Sequence, residues 1–377
     1  MTQIQGTNTD KFQGVRDTFQ KTFDEGKNVG ASVCVIHNGE VVVDIWGGHR
    51  DLEKTTPWTE DTLVNVWSTT KTMTFLVGLM LHSRGELDFD APVAKYWPEF
   101  AANGKADIQV RNLFSHTAGL SGWEAPLKGE DLANWELSTS ALAEQAPWWS
   151  DRTKSGYHAV SQGHLIGEVV RRITGTTIGQ FLKSEVSDVL GADFFIGLPE
   201  SEEDRVSIVI PPPSIDFGEI DPTSIAVRTL TRPPLDATMP SHRWWRAAEI
   251  PAAGGHGNAK SVATIQEIIA NNGHAQGHRF FNEKSGDLIF QSQAHGIDQV
   301  LGSEINFGMG YGLASSVMPI GPRSCYWGGY GGSVIIMDQD AKLTVAFMMN
   351  KMEGAALISG DTRGADISFA AAMAAFS

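Results

Sequence analysis

Strand-forming runs gather at the two ends of this 377-residue chain, and the long stretch between them reads as helix and irregular loop. Near the start, ASVCVIHNGEVVVDIW places two runs rich in β-branched residues on either side of Asn38-Gly39. That dipeptide suits the left-handed backbone of a tight hairpin turn, so strands are predicted at about 31–37 and 40–46. Near the end, Cys325 to Gly329, Ser333 to Asp338 and Leu343 to Asn350 read as three more strands, with Asp338 to Ala341 as a turn. Phe12, Val15, Phe19 and Phe23 fall three and four apart, which gives one apolar helical face over about 10–26, stopped at Gly26. Two middle helices are predicted, Ser68 to Ser83 and Val160 to Thr174, and the last residues from about Asp366 to Phe376 form another. Strands segregated in this way indicate α+β rather than alternating βαβ units. The prediction is an antiparallel five-stranded sheet flanked by terminal helices, with an inserted, mostly helical domain. The expected boundaries are residues 1–88 and 246–377 for the sheet domain and 89–245 for the insertion, which ends in a Pro-rich irregular cap.

Composition closes off several classes. A net charge of −15 with no basic run argues against a nucleic-acid partner, which requires clustered Lys and Arg. Cys34 and Cys325 cannot make a disulfide framework and read as buried strand residues. The N-terminus lacks a basic-then-apolar leader, and the apolar run Phe75 to Leu81 is far too short for a bilayer. A cytoplasmic protein without a membrane span is expected. No HExxH is present, and His274/His278 and His158/His164 have no third ligand, so neither a metal nor an organic cofactor is expected.

Three segments carry chemistry. Ser68-Thr69-Thr70-Lys71 opens a helix, where residues three apart share a face, so Ser68 Oγ and Lys71 Nζ can meet. Burial and the positive end of a helix both disfavour an ammonium group, which frees the amine to act as a base. Taken alone, the same four residues also describe an N-capping serine beside a solvated lysine. Gly156-Tyr157-His158-Ala159 sets a phenol just before a helix, where it could shuttle a proton or simply fill the core. Trp327-Gly328-Gly329-Tyr330-Gly331-Gly332-Ser333 puts glycines inside a strand pattern, which marks either close approach of a ligand or a bulge.

Taken together and in this order, the segments resemble the serine β-lactamase and DD-peptidase superfamily, and more closely the family VIII carboxylesterases, which share the class C β-lactamase fold. Leu87 to Ala91 (LDFDA), Leu113 to Leu120 (LFSHTAGL) and Pro251 to Ala263 add to the likeness, which runs from about residue 10 to the C-terminus. The resemblance implies that Ser68 is acylated, that Lys71 is its general base and that Tyr157 relays a proton. It also implies an oxyanion hole made by the backbone N–H groups of Ser68 and Tyr330. Substrate contact is assigned to Trp327, Gly328, Gly329, Trp123 and His158. A small-molecule ester is the implied partner, with lactone hydrolysis or acyl transfer to an alcohol as alternatives at the same site.

The departures narrow the substrate. β-Lactam-processing members carry Lys-Thr-Gly or His-x-Gly where this chain has Trp327-Gly328-Gly329, and Tyr-x-Asn where it has Tyr157-His158-Ala159. The missing cation would pair with a β-lactam carboxylate. A β-lactamase or D-Ala-D-Ala peptidase is therefore a weaker expectation, and a non-catalytic binding protein weaker still, since Ser68, Lys71 and Tyr157 are all present. His116 is expected to be a structural hydrogen-bonder. Trp123, Trp148, Trp149, Trp244 and Trp245 either line an apolar pocket or pack the core, and the loop at 205–245 is expected to form a lid.

Overall fold

A computed structural model describes residues 2–212, 221–354 and 361–377. Its main sheet has nine strands, taken in chain order as β1 (Gln5–Asn8), β2 (Gly30–His37), β3 (Glu40–Gly48), β4 (Ala294–Ile297), β5 (Glu304–Phe307), β6 (Gly312–Leu313), β7 (Ser324–Gly328), β8 (Val334–Asp338) and β9 (Leu343–Met349). The spatial order is β1-β3-β2-β9-β8-β7-β6-β5-β4, and every neighbouring pair is antiparallel. The five predicted strands form the contiguous centre, β3-β2-β9-β8-β7. The sheet is wider than predicted because β1 and β4–β6 extend it on both sides. Those strands are only two to four residues long; Glu304–Phe307 alternates polar and apolar residues over just four positions, and the other three show no such alternation.

The hairpin falls where the sequence puts it. Asn38 and Gly39 both have positive φ, 54° and 83°, and His37 pairs with Glu40 across the turn. The two ends of the chain meet in the β2–β9 ladder, which runs from Ala31 opposite Met349 to His37 opposite Leu343. Helices α1 (Gln13–Asp24) and α5 (Arg363–Phe376) pack on each other beside the sheet, while α4 (Ala259–Ala270) packs on β2, β8 and β9. Layers on both faces explain why β2 is buried along nearly its whole length.

Helix α2 (Thr70–Ser83) is buried from Thr70 through Leu81. A helix buried on all sides must be apolar all round, and Lys71 is the single charged residue in that stretch. Helix α3 (Ser161–Thr174) ends at Gly175, whose φ of 74° gives the left-handed cap expected of glycine. A small sheet pairs Val64–Asn65 with Gly255–Gly257, and the latter with Phe195–Ile196. It ties the approach to α2 to the approach to α4. Residues 213–220 of the predicted lid lie outside the described residues. Beyond them a short helix, Arg243–Ala247, brings Trp245 against Trp67, with ring centroids 5.5 Å apart. Among the described residues no helix is long and apolar enough to cross a membrane.

Candidate active site

Trp67–Thr69 forms one tight 3-10 turn before α2 and presents Ser68 at its centre. Trp67 has a φ of 48°, a conformation that costs a side-chain-bearing residue about 1–3 kcal/mol and must be held by its surroundings. Three contacts hold it. The Trp67 N–H donates to Asn65 Oδ1 at 3.3 Å, the Thr70 hydroxyl donates to Trp67 O at 2.5 Å, and the ring lies between Trp245 and Tyr330. Asn65 is pinned in turn by donating to Ala253 O at 3.1 Å.

Lys71 reaches back along the helix face to Ser68, with Nζ 3.2 Å from Oγ. The same nitrogen donates to Ala159 O at 2.7 Å and Ala252 O at 2.9 Å. A neutral amine has two N–H donors and one lone pair. The two carbonyls account for the donors, which leaves the lone pair for the Ser68 hydroxyl. Burial pushes the Lys71 amine well below its ordinary 10.5.

The Tyr157 ring packs beside Lys71, with Nζ 4.8 Å from its centroid. Its hydroxyl is buried and makes no hydrogen bond of good geometry among the described residues. Burial raises the Tyr157 pKa, and the hydroxyls and N–H of Ser68 and Trp327 pull it back only in part. Ser68 and Trp327 lie close enough to the Tyr157 hydroxyl to act on it electrostatically.

The glycine-rich segment closes the site from the sheet. Gly329 N–H donates to Ser333 O at 2.8 Å and Gly332 N–H to Gly329 O at 3.1 Å, which makes a tight turn after β7. Among the described residues the Tyr330 N–H has no protein acceptor. Ser333 staples this turn to the serine turn, since its hydroxyl donates to Val66 O at 2.9 Å and lies 3.0 Å from Thr69 Oγ1. A Cβ on Gly329 would stand 2.3 Å from Val66 O and 2.4 Å from Ser333 Oγ. Gly329→Ala should therefore displace the two turns from each other. A fall of ~10²-fold or more in kcat/KM is expected, the scale for losing one oxyanion donor. It is read on p-nitrophenyl butyrate with folding verified by circular dichroism.

The remaining expected residues fall into two groups. Trp327, Gly328 and Gly329 lie beside Tyr157 and the serine turn, and all three are buried. The Trp327 ring packs 5.5 Å from Tyr157 and 5.4 Å from Phe307, and its Nε1 has no hydrogen-bond partner among the described residues. His158 is also buried, but both ring nitrogens face backbone groups. Leu120 N–H donates to Nε2 at 3.1 Å, so Nδ1–H donates to Gly156 O at 2.6 Å. Burial lowers its pKa to about 3. The His158 N–H donates to His116 Nδ1 at 3.0 Å, so His116 takes the structural part predicted for it. Trp123 is engaged elsewhere, donating from Nε1 to Ser138 O at 2.9 Å and packing on His164. Asn65 and Asp298 were not singled out in the sequence. Asn65 stands three residues before Ser68, and Asp298 lies in a polar loop with no motif around it. Among the described residues no cluster of His, Cys, Asp and Glu could hold a metal ion.

Residues 15–368 match the family described as Beta-lactamase. The chain belongs to the beta-lactamase family. Within it, the sequence is 31% identical to the Esterase/beta-lactamase LipL of Mycobacterium tuberculosis over 91% of this chain and 82% of that one. It is 26% identical to Esterase EstB of Burkholderia gladioli, over 88% of each chain. The crystal structure of a family VIII carboxylesterase superposes with a TM-score of 0.92 at 38% identity, covering 99% of this chain and 100% of that one. The likeness to family VIII drawn from the motifs is thus matched across almost the whole chain.

Proposed function

We propose that this chain is a serine carboxylesterase that cleaves small to medium uncharged esters through an acyl-Ser68 intermediate. The observation that carries this reading is the Lys71 amine, sealed from water, with both N–H donors occupied by carbonyls and its free side on Ser68 Oγ. Lys71 takes the serine proton as Oγ attacks the ester carbonyl. The Ser68 and Tyr330 N–H groups receive the oxyanion. Tyr157 passes its proton to the departing alkoxide and takes back the proton that Lys71 removed from Ser68, and water then releases the acid by the reverse path. Two features favour esters over β-lactams. A buried neutral indole stands where a cation would bind a carboxylate, and Ala159 has no amide to hold an acyl side chain. Esterase EstB, a similar protein named as an esterase alone, supports the same choice, while LipL is named as both an esterase and a beta-lactamase.

The reading is tested by measuring p-nitrophenyl butyrate and nitrocefin turnover side by side. Ester turnover should exceed nitrocefin turnover by orders of magnitude, and parity between them would sink the ester preference. Adding a bulky alcohol and looking for a new ester separates hydrolysis from acyl transfer.

The pH profile gives an independent check. A base works only when deprotonated, so activity rises as pH passes upward through the Lys71 pKa. Burial lowers that value, so the midpoint of the rising limb should lie well below 10.5. Burial raises the Tyr157 pKa, so ionisation of the phenol belongs to the alkaline side of the profile. A rising limb centred near 10.5 in kcat/KM would remove Lys71 from the role of base.

A further inference from the structure

The hairpin that extends the sheet past β7 ends in a loop that reaches the candidate site. Asp298, between β4 and β5, is fully buried. Its Oδ1 accepts from three backbone donors: Tyr157 N–H at 3.0 Å, Val300 N–H at 2.9 Å and Leu301 N–H at 2.9 Å. Its Oδ2 is buried and has no partner among the described residues. Leaving a buried polar atom unpaired costs about 1–3 kcal/mol, and the three bonds to Oδ1 offset that cost.

What the carboxylate holds points to its role. The neighbouring Gln299 donates to Ser155 O twice, from its backbone N–H at 3.0 Å and from Nε2 at 3.3 Å. The loop itself is closed by Asp298 N–H on Ser303 O and Gly302 N–H on Asp298 O, both at 2.9 Å. On the opposite side, Gly156 N–H donates to His116 O at 3.0 Å. Residues 155–158 are therefore gripped between the His116 segment and the β4–β5 loop, and the one bond to the Tyr157 backbone from that loop is the bond to Asp298. The Tyr157 hydroxyl has no hydrogen bond of its own to fix it. Its place is set by ring packing and by its backbone.

We infer that Asp298 is a positioning residue for Tyr157, holding the phenol in line with Ser68 through the backbone N–H of Tyr157. The inference rests on the relay role proposed for Tyr157, and its test separates the two. Four proteins are compared: wild type, Asp298→Ala, Asp298→Asn and Tyr157→Phe. One readout is amide hydrogen exchange over 155–158. The other is the ratio of ethyl butyrate to p-nitrophenyl butyrate turnover, because ethoxide needs a proton to depart and p-nitrophenolate does not.

In Asp298→Ala, exchange over 155–158 should rise, and kcat on ethyl butyrate should fall by ~10²-fold, the scale of an ångström-sized misplacement. KM and p-nitrophenyl butyrate turnover should change far less. Asparagine keeps the Oδ1 acceptor and should restore both readouts. Asp298→Ser, with a shorter acceptor, gives an intermediate result and stands in should the alanine variant not fold. Wild-type exchange in the alanine variant overturns the inference, as does an asparagine variant no better than alanine. So does an alanine variant with the wild-type ratio while Tyr157→Phe shifts it. If exchange responds as expected but Tyr157→Phe leaves the ratio unchanged, the anchor stands and the relay role is what fails.

Discussion

Ser68→Ala should abolish ester hydrolysis while leaving the fold intact. The substitution removes one oxygen from a side chain that is already almost fully buried, so no packing is lost and the helix start keeps its shape. The Lys71 amine retains both carbonyl partners, Ala159 O and Ala252 O, and loses only the hydroxyl at 3.2 Å. Thermal unfolding should therefore move by a few degrees at most. Turnover, in contrast, loses the atom that forms the acyl bond. A fall on the order of 10⁶-fold is the scale for deleting a serine nucleophile from an intact site, which puts the variant below assay background. A serine-reactive phosphonate should label wild type at Ser68 and leave the variant untouched. Turnover that survives in the variant, or a label elsewhere in wild type, would move the active site away from this turn.

Lys71→Met should cost ~10²–10⁴-fold in kcat, the range for loss of a general base. Methionine fills most of the volume of the buried lysine stem, so the packing of α2 is preserved. Two carbonyls lose their donor, and each unpaired buried acceptor costs about 1–3 kcal/mol. Against that, the variant no longer buries an amine whose charged form is disfavoured there. These effects oppose each other, so the variant should fold, and its defect should lie in kcat rather than KM. The decisive comparison is the pH profile. The rising limb assigned to Lys71 should vanish in the methionine variant, leaving a low, flat rate. A variant within threefold of wild type, with the limb unchanged, would show that another group removes the proton.

The centre of this fold was legible in the sequence because its strands are long and β-branched and its hairpin carries Asn38-Gly39. The flanking strands were not, since two to four residues are too short a run for a periodicity to stand out, even where Glu304–Phe307 alternates. They form because neighbouring strand edges offer unpaired backbone groups. The site shows the same division. Ser68 and Lys71 are three apart on one helix, so local geometry brings them together. Tyr157 and the turn at Gly329–Ser333 could be placed only by likeness to a known pattern, because their approach to Ser68 is tertiary. Asp298 and Asn65 each bond backbone groups both nearby and far along the chain, and no spacing rule reaches the distant partners. His158, expected to contact substrate, is buried with both ring nitrogens committed to backbone groups, and no sequence pattern reports that commitment.

The ladder between β2 and β9 has a consequence for how the protein is made. Ala31 finds its partner, Met349, only near the other end of the chain. Contacts of such separation form late and slowly, because loop-closure entropy must be met before they contribute. On the ribosome, the first strands emerge without the neighbour that buries their second edge, and they must wait for the last part of the message to be translated. The Tyr330 N–H belongs to the same late segment. Under the proposed mechanism, a nascent chain that holds Ser68 and Lys71 still lacks the second oxyanion donor.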